Sequence, residues 1–430
     1  MAKKIPFVVD FVRKCRSVRE QAAYKKSLAQ IQSTKAVLVQ RHAQEPGRKI
    51  VVVFVIQIIQ PWIKLKPIYE KLKQNSDFKT YLVCVPSLWN EKRVVANSIH
   101  EDNNDTYEYF KDHGYECIDS RVGNTWFDLK KLEPDYVFHS RPYNHFMPKE
   151  YNSSAISKYA LLCNILYGTT LTVNEVGPIL NMNYFKDVLC YFAFDKYEVE
   201  LYNKKFRLGL ECGIQKCLPF GTTGLEQILS AKKEKNSTNF NKMVMWTPRF
   251  STDPNIGGSN FFRYKETIKE LVGMYRDVLF IIRPHPLMFG NFISTGEMTQ
   301  EEVDNFKNYC SCEPNVKLDE SKEYASTFWQ SDFIIADSSG IVPEYYVTNK
   351  PIIFCNPVNV NYKYNGTMLS LLSHSYVVNS IDELKSAFRQ LYEERDNKLE
   401  ERKKSIITMF GDIKNSSNNI IRTLKMEIRA

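Results

Sequence analysis

The run "IVVVFVIQII" (50–59) constrains this chain more than any other stretch. Val, Ile and Phe follow one another without polar alternation, so a strand here must be buried on both faces, as in a parallel sheet covered by helices. It is about half the ~20 residues that a membrane-crossing helix requires. Comparable runs recur at "KTYLVCVP" (79–86), "PDYVFHS" (134–140), "MVMWTP" (243–248), "VLFIIRP" (278–284), "DFIIAD" (332–337) and "PIIFCNP" (351–357). Helix-like stretches lie between them, at 64–75, 102–113, 153–162, 196–209, 262–276, 299–310, 322–330, 340–349 and 381–396. The segment 153–162 leads into "CNILYGTTLTV" (163–173). Strand–helix alternation of this kind predicts a mostly parallel, doubly wound α/β sheet.

A chain of 430 residues exceeds what one core usually organises, so two domains are expected. The polar stretch "AKKEKNSTNFNK" (231–242) interrupts the alternation and reads as the linker between them. The expected division is a basic helical extension at 1–45, a first α/β domain at 46–230, a second at 243–400 and a helical tail at 401–430. The two domains are expected to face a central cleft.

The formal net charge is +9, and the first 49 residues alone carry all of it, with twelve Lys and Arg against three acids. The body is therefore neutral, which argues against a nucleic-acid binder. In 1–45, Phe7, Val8, Phe11, Val12 and Val18 cluster with Lys and Arg, which suits either an interfacial helix on anionic lipid or a solvated basic face packing on the body. "MAKKIPFVVDFVRK" lacks a secretory apolar core, so the expected location is cytoplasmic, at most peripheral to a membrane. The ten cysteines show no zinc spacing and are expected to be free thiols; no metal site is expected.

In open parallel sheets, ligands sit outside the carboxyl ends of the strands. In the second domain those ends carry Arg249 and Ser251, then Arg283 and His285, then Asp337, Ser338, Ser339 and Gly340, with Glu344 a turn later. "DSSG" entering a helix offers N–H groups and hydroxyls to an anion. Arg283 suits a bidentate phosphate contact, and Glu344 an acceptor for ribose hydroxyls. Pro284 and Pro286 stiffen the loop that holds His285. Plainer roles stay open: Ser338 or Ser339 as a helix cap, Arg283 paired with Asp337 or Glu344, His285 as a structural histidine.

The pattern "WTPRFS…FFRY…VLFIIRPHPLM…SDFIIADSSGIVPEY…KPIIF" resembles the C-terminal half of the CDP-glycerol glycerophosphotransferase family, the teichoic-acid primases and polymerases. The resemblance runs from about 135 to 357 and is strongest at 243–357. It implies a GT-B-like fold with the nucleotide held mainly by the second domain. It also implies transfer of a polyol phosphate from a CDP-activated donor to an acceptor hydroxyl, with CMP released and no cofactor. His285 then stands as the family's C-terminal functional histidine, and Arg283, Asp337, Ser338, Ser339 and Glu344 as its nucleotide and phosphate contacts.

One departure concerns the acceptor side. Where teichoic-acid polymerases carry W-H-G-T-P-L-K, this chain has "LYGTTLT" (166–172), so Tyr167 replaces the proposed base, followed by Gly168 and Thr169. A phenol with a pKa of ~10 is a poor base near neutrality. His139 and His145, beside Arg141, and Glu175 are the other candidates, with structural histidines as the plainer reading. Three functions follow: a CDP-polyol phosphotransferase acting on a cell-surface glycan or lipid-linked acceptor, a sugar-nucleotide glycosyltransferase of the same fold, or a non-catalytic nucleotide-binding relative.

Overall fold

The computed structural model describes residues 5–59, 61–86, 104–173, 179–232, 239–321 and 323–429, with backbone alone for 5–17. It divides into two compact units. The first comprises Met1–Tyr167, Val176–Thr223 and Asn415–Ala430, the second Gly168–Glu175 and Gly224–Lys414.

In the first unit, β1 (Ile50–Ile56), β2 (Phe78–Cys84) and β3 (Ile118–Asp119) precede a small antiparallel ribbon, β4 (Arg121–Val122) and β5 (Thr125–Trp126). Then come β6 (Tyr136–His139), β7 (Leu161–Asn164), β8 (Val188–Phe192) and β9 (Lys216–Leu218). They form a seven-stranded sheet in the order β3-β2-β1-β6-β7-β8-β9, and every ladder in it is parallel. All seven residues of β1 are buried, which is why its sequence lacks alternation. Phe54 stacks on Phe138, which stacks on Phe192, so three strands share one aromatic layer.

The second unit repeats the plan. Its strands are β10 (Lys242–Thr247), β11 (Val278–Ile282), β12 (Val316–Leu318), β13 (Phe333–Ala336), β14 (Ile352–Cys355) and β15 (Tyr376–Val378). They lie in the order β12-β11-β10-β13-β14-β15, all parallel. Both sheets therefore reverse strand order beside their first strand, the switch point at which such folds bind ligands. The doubly wound α/β expectation holds in each unit.

The boundaries differ from the sequence reading. The N-terminal helix Ile5–Gln44 is part of the first unit: Tyr24, Leu28, Ile31 and Leu38 are buried in it. The Tyr24 hydroxyl donates to Gln215 Oε1 at 2.5 Å and accepts from Gly209 N at 3.0 Å, while His42 Nε2 lies 3.0 Å from Asp135 Oδ1. Tyr24, Leu28, Ile31 and Leu38 are thus spent on the core, whereas Val18 is exposed and the side chains of Phe7, Val8, Phe11 and Val12 lie outside the described residues. The tail also divides, because Ile420, Leu424 and Ile428 of the helix Ser416–Arg429 enter the first unit's core. The second unit's main segment starts at Gly224, ahead of the polar stretch, 233–238 of which lie outside the described residues. Among the described residues no helix is long and apolar enough to cross a membrane.

Candidate functional site

At the second sheet's switch point, the chain leaves β10 through Pro248 and Arg249 and leaves β13 through Asp337 and Ser338. Asp337 is buried, and its Oδ2 accepts from Arg249 N at 2.9 Å, Asn260 N at 3.1 Å and Ser259 Oγ at 3.4 Å. Its Oδ1 accepts from Asn260 Nδ2 at 2.9 Å. Burial raises its pKa against the pull of these bonds. Asp337 is therefore a bolt that fixes the loop Arg249–Asn260 to the sheet end, and this differs from the ligand contact expected of it. Asn260, missed in the sequence, extends the bolt to β14 through the Cys355 carbonyl at 3.1 Å.

Arg249 drives its guanidinium into the same joint, donating through Nη1 to the Ser338 carbonyl and through Nη2 to the Ile256 carbonyl. Ser251 is buried and accepts from Asp253 N at 3.1 Å, so it shapes the loop. A Cβ on Gly257 would stand 2.0 Å from the Ser251 carbonyl oxygen, and Gly258 has φ +83, so both glycines are required here.

His285 follows β11, with its backbone N–H on the Pro248 carbonyl at 3.1 Å and its ring 4.8 Å from that of Phe250. Nδ1 accepts from Leu287 N at 3.2 Å, which leaves the proton of the neutral ring on Nε2. Burial, and then the Arg249 cation, push its pKa down to about 4. Near neutral pH His285 is an uncharged N–H donor.

Arg283 is engaged elsewhere than expected. Nη1 lies 2.7 Å from Asp319 Oδ2, Nη2 donates to the Ser321 carbonyl at 2.7 Å, and the guanidinium sits 5.1 Å from the Tyr324 ring centroid. It pairs with neither Asp337 nor Glu344, because Asp319 ends the neighbouring strand β12. The Tyr324 hydroxyl donates to Glu344 Oε2 at 2.5 Å, so Arg283 and Glu344 are joined through one tyrosine. Ser338 is buried and Ser339 half-buried, and neither side chain caps the helix Ile341–Tyr346. That helix has only six residues, too few for the dipole that the "DSSG" reading invoked. Nothing lies within 4 Å of a Cβ built on Gly340.

At the first unit's switch point, Arg141 Nη1 donates to Gln57 Oε1 at 3.1 Å and the guanidinium packs 4.0 Å from the Phe146 ring centroid. Burial lowers the Arg141 pKa, while Tyr167 and Tyr143 oppose the shift; their hydroxyls are 3.4 Å apart. His145 is exposed. His139 is wholly buried, and neither ring nitrogen has a partner; burial depresses its pKa to about 3. A ring enclosed in this way does not meet an acceptor hydroxyl, so the structure removes His139 from the candidate bases. Glu175 lies outside the described residues.

The chain crosses to the second unit between Tyr167 and Gly168. There Thr172 bridges antiparallel to Tyr364, Val173 N donates to the Lys363 carbonyl at 2.9 Å, and Asn365 Nδ2 donates to the Thr170 carbonyl at 2.7 Å. Gly168 and Thr169 are thus held beside the loop after β14, in a different unit from Tyr167. Among the described residues no group of three His, Cys, Asp or Glu side chains is placed to hold a metal ion.

Several solved structures share this fold. A putative UDP-N-acetylglucosamine 2-epimerase from Listeria monocytogenes superposes with a TM-score of 0.55 at 11% identity, covering 89% of this chain and 98% of its own. The UDP-GlcNAc 2-epimerase from Neisseria meningitidis, bound to UDP-GlcNAc, gives 0.55 at 15%, covering 87% and 99%. The wall teichoic acid polymerase TagF, soaked with CDPG, gives 0.53 at 12%, covering 97% and 98%. These likenesses establish the GT-B-like fold. Sequence comparison with curated proteins finds no match. Residues 203–425, just over half of the chain and nearly all of the second unit, match the family described as CDP-Glycerol:Poly(glycerophosphate) glycerophosphotransferase. The chain belongs to that family and is a CDP-glycerol glycerophosphotransferase-like enzyme.

Proposed function

We propose that the protein transfers a glycerol-phosphate-like unit from a CDP-activated donor to a hydroxyl of a cell-surface glycan, teichoic-acid-like or lipid-linked acceptor. The acceptor oxygen bonds to the polyol-bearing phosphorus, and the bond from that phosphorus to the bridging oxygen breaks. CMP leaves with the bridging oxygen, and the acceptor's proton passes to a base or to solvent. The donor carries its own activated phosphoryl group, so no cofactor is invoked.

The observation that carries this reading is the set of groups gathered at one sheet end within the family-matched segment. Arg249 supplies a fixed positive charge, and His285 an uncharged Nε2–H donor suited to a phosphoryl or leaving oxygen. Asp337 and Asn260 hold the loop that presents Arg249, and His285 is tied to Pro248 through its backbone N–H. Arg283 keeps the Asp319–Tyr324 loop in place, and a bidentate phosphate contact from it requires exchange with Asp319. On the acceptor side the reading assigns Tyr167, with Tyr143 and Arg141 around it. The basic N-terminal sequence supports an acceptor presented at an anionic membrane surface.

The test is release of CMP from CDP-glycerol in the presence of a polyol-phosphate acceptor, resolved by chromatography. His285→Ala and Arg249→Ala proteins that remain folded should lose at least ~100-fold in rate, the scale of removing one preorganised donor. Full activity in both refutes the assignment, and release of a nucleoside diphosphate from a sugar-nucleotide donor, with no CMP from CDP-glycerol, identifies glycosyl transfer.

A further inference from the structure

The second unit holds a set of buried polar atoms that the contacts above do not use. Ser338 Oγ, Arg249 Nε, Tyr364 Oη and Thr169 Oγ1 are each buried without a partner at good hydrogen-bond geometry, although the Ser338 and Tyr362 hydroxyls stand near enough to Tyr364 to act on its titration. Three of them adjoin. Arg249 reaches the Ser338 carbonyl through Nη1, and the Tyr364 hydroxyl lies beside that of Ser338 and within range of the Arg249 charge. Thr169 is carried on the segment clipped to either side of Tyr364, since its neighbour Thr170 accepts from Asn365. The Tyr362 hydroxyl, by contrast, is occupied by the Gly257 carbonyl at 3.2 Å.

A buried donor left without an acceptor destabilises the fold, so several at one sheet edge call for an acceptor that enters from outside. The chemistry of the set defines that acceptor. A guanidinium N–H only donates, and hydroxyls can turn their O–H toward a shared point. Burial, and then Tyr362, hold the Tyr364 phenol protonated well above the usual range against the opposing pull of Ser338 and Arg249, so it is a donor near neutral pH. Donors around a fixed positive charge select an oxyanion over a cation or a neutral sugar hydroxyl. Open space beside Gly340, two residues after Ser338, gives such a group room.

We propose that Tyr364, together with Ser338 and the Arg249 Nε–H, binds a phosphoryl oxygen of the donor diphosphate. Tyr364 is then a binding residue for the reaction, supplied by the loop after β14 rather than by any of the strand-end motifs. The proposal rests on the reading of the second unit as the donor half.

Isothermal titration calorimetry of CDP and of cytidine against the full chain tests it. Wild type should bind CDP more tightly than cytidine. Tyr364→Phe, which removes one hydroxyl, should weaken CDP about tenfold and leave cytidine unchanged. Ser338→Ala should show the same pattern and serves if Tyr364→Phe lowers the melting temperature. Equal CDP affinity in wild type and both variants, or equal affinity of wild type for CDP and cytidine, overturns the proposal. If wild type binds no cytidine compound, the donor reading itself fails, and inorganic pyrophosphate then decides the cluster. Tenfold weaker pyrophosphate binding in the variants keeps an oxyanion site, whereas no binding by wild type, or no difference, removes it.

Discussion

His139 offers a quantitative test of how the first unit treats its buried polar groups. It ends a central strand with no exposed surface, its ring 6.1 Å from that of Tyr184, and neither nitrogen is bonded. Burial alone depresses its pKa to about 3, against ~6.5 for an exposed imidazole. The folded protein therefore keeps the ring neutral while the unfolded chain takes up a proton as pH falls. Stability from this residue is complete above pH ~6.5 and is lost progressively between ~6.5 and about 3. At pH ~5, about 1.5 pH units below the unfolded value and still above the folded one, the unfolded chain holds nearly one extra proton, which at ~1.4 kcal/mol per pH unit costs the fold about 2 kcal/mol.

His139→Phe keeps a ring against Tyr184 and abolishes the titration. Its larger volume costs ~1–3 kcal/mol in repacking, but that cost is the same at every pH and cancels in the comparison. Urea unfolding at pH ~7.5 and ~5, followed by circular dichroism, should show wild type losing about 2 kcal/mol more than the variant between the two conditions. Equal losses would refute the claim that the ring is buried and unpartnered. The same variant should retain CMP release near pH ~7.5 within a few-fold, since an enclosed imidazole has no proton to exchange with an acceptor.

Two further perturbations address the donor half. Asp337→Ala strands the Arg249, Ser259 and Asn260 donors and should cost ~3–5 kcal/mol in thermal or urea unfolding together with CDP affinity; an unchanged melting temperature contradicts the bolt. Gly257→Ala places a Cβ 2.0 Å from the Ser251 carbonyl oxygen and should destabilise by ~1–3 kcal/mol, with weaker CDP binding in calorimetry; wild-type values for both would show that the loop is not fixed as described.

Much of the fold was legible because strands buried on both faces leave continuous apolar runs, as in β1, β10, β11, β13 and β14. β9, β12 and β15 were not, since three-residue edge strands with half-exposed side chains carry no periodic signal. β8 was missed for another reason: "VLCYF" is short and apolar, and suits a buried helix as well as a strand. Missing β12 had a direct cost at the site. It hid Asp319, so the partner of Arg283 was sought at Asp337 and Glu344. Asp337 was located but its role was not, because its partner Asn260 lies 77 residues away in sequence. The crossing at Gly168 was invisible for the same reason, since its clip to Lys363–Asn365 is a contact across nearly 200 residues.

The two switch points differ in a way that suits the proposed chemistry. Phosphoryl transfer passes through a loose transition state in which the attacking oxygen is little bonded, and charge accumulates on the phosphoryl and leaving oxygens. Such a reaction places small demands on a base and large ones on preorganised donors. At the second unit's sheet end Arg249 and the His285 Nε2–H are held by Asp337, Asn260 and the Leu287 amide. At the first unit's sheet end the described groups are Gln57, Arg141, Tyr143 and Tyr167, with His139 sealed beneath them. A tyrosine in place of a histidine is a severe loss if the acceptor must be deprotonated before attack. It is a mild one if the hydroxyl has only to be positioned and sheds its proton late. On the proposed reaction, then, Tyr167 does not mark a dead enzyme, and the barrier is set by the donor half.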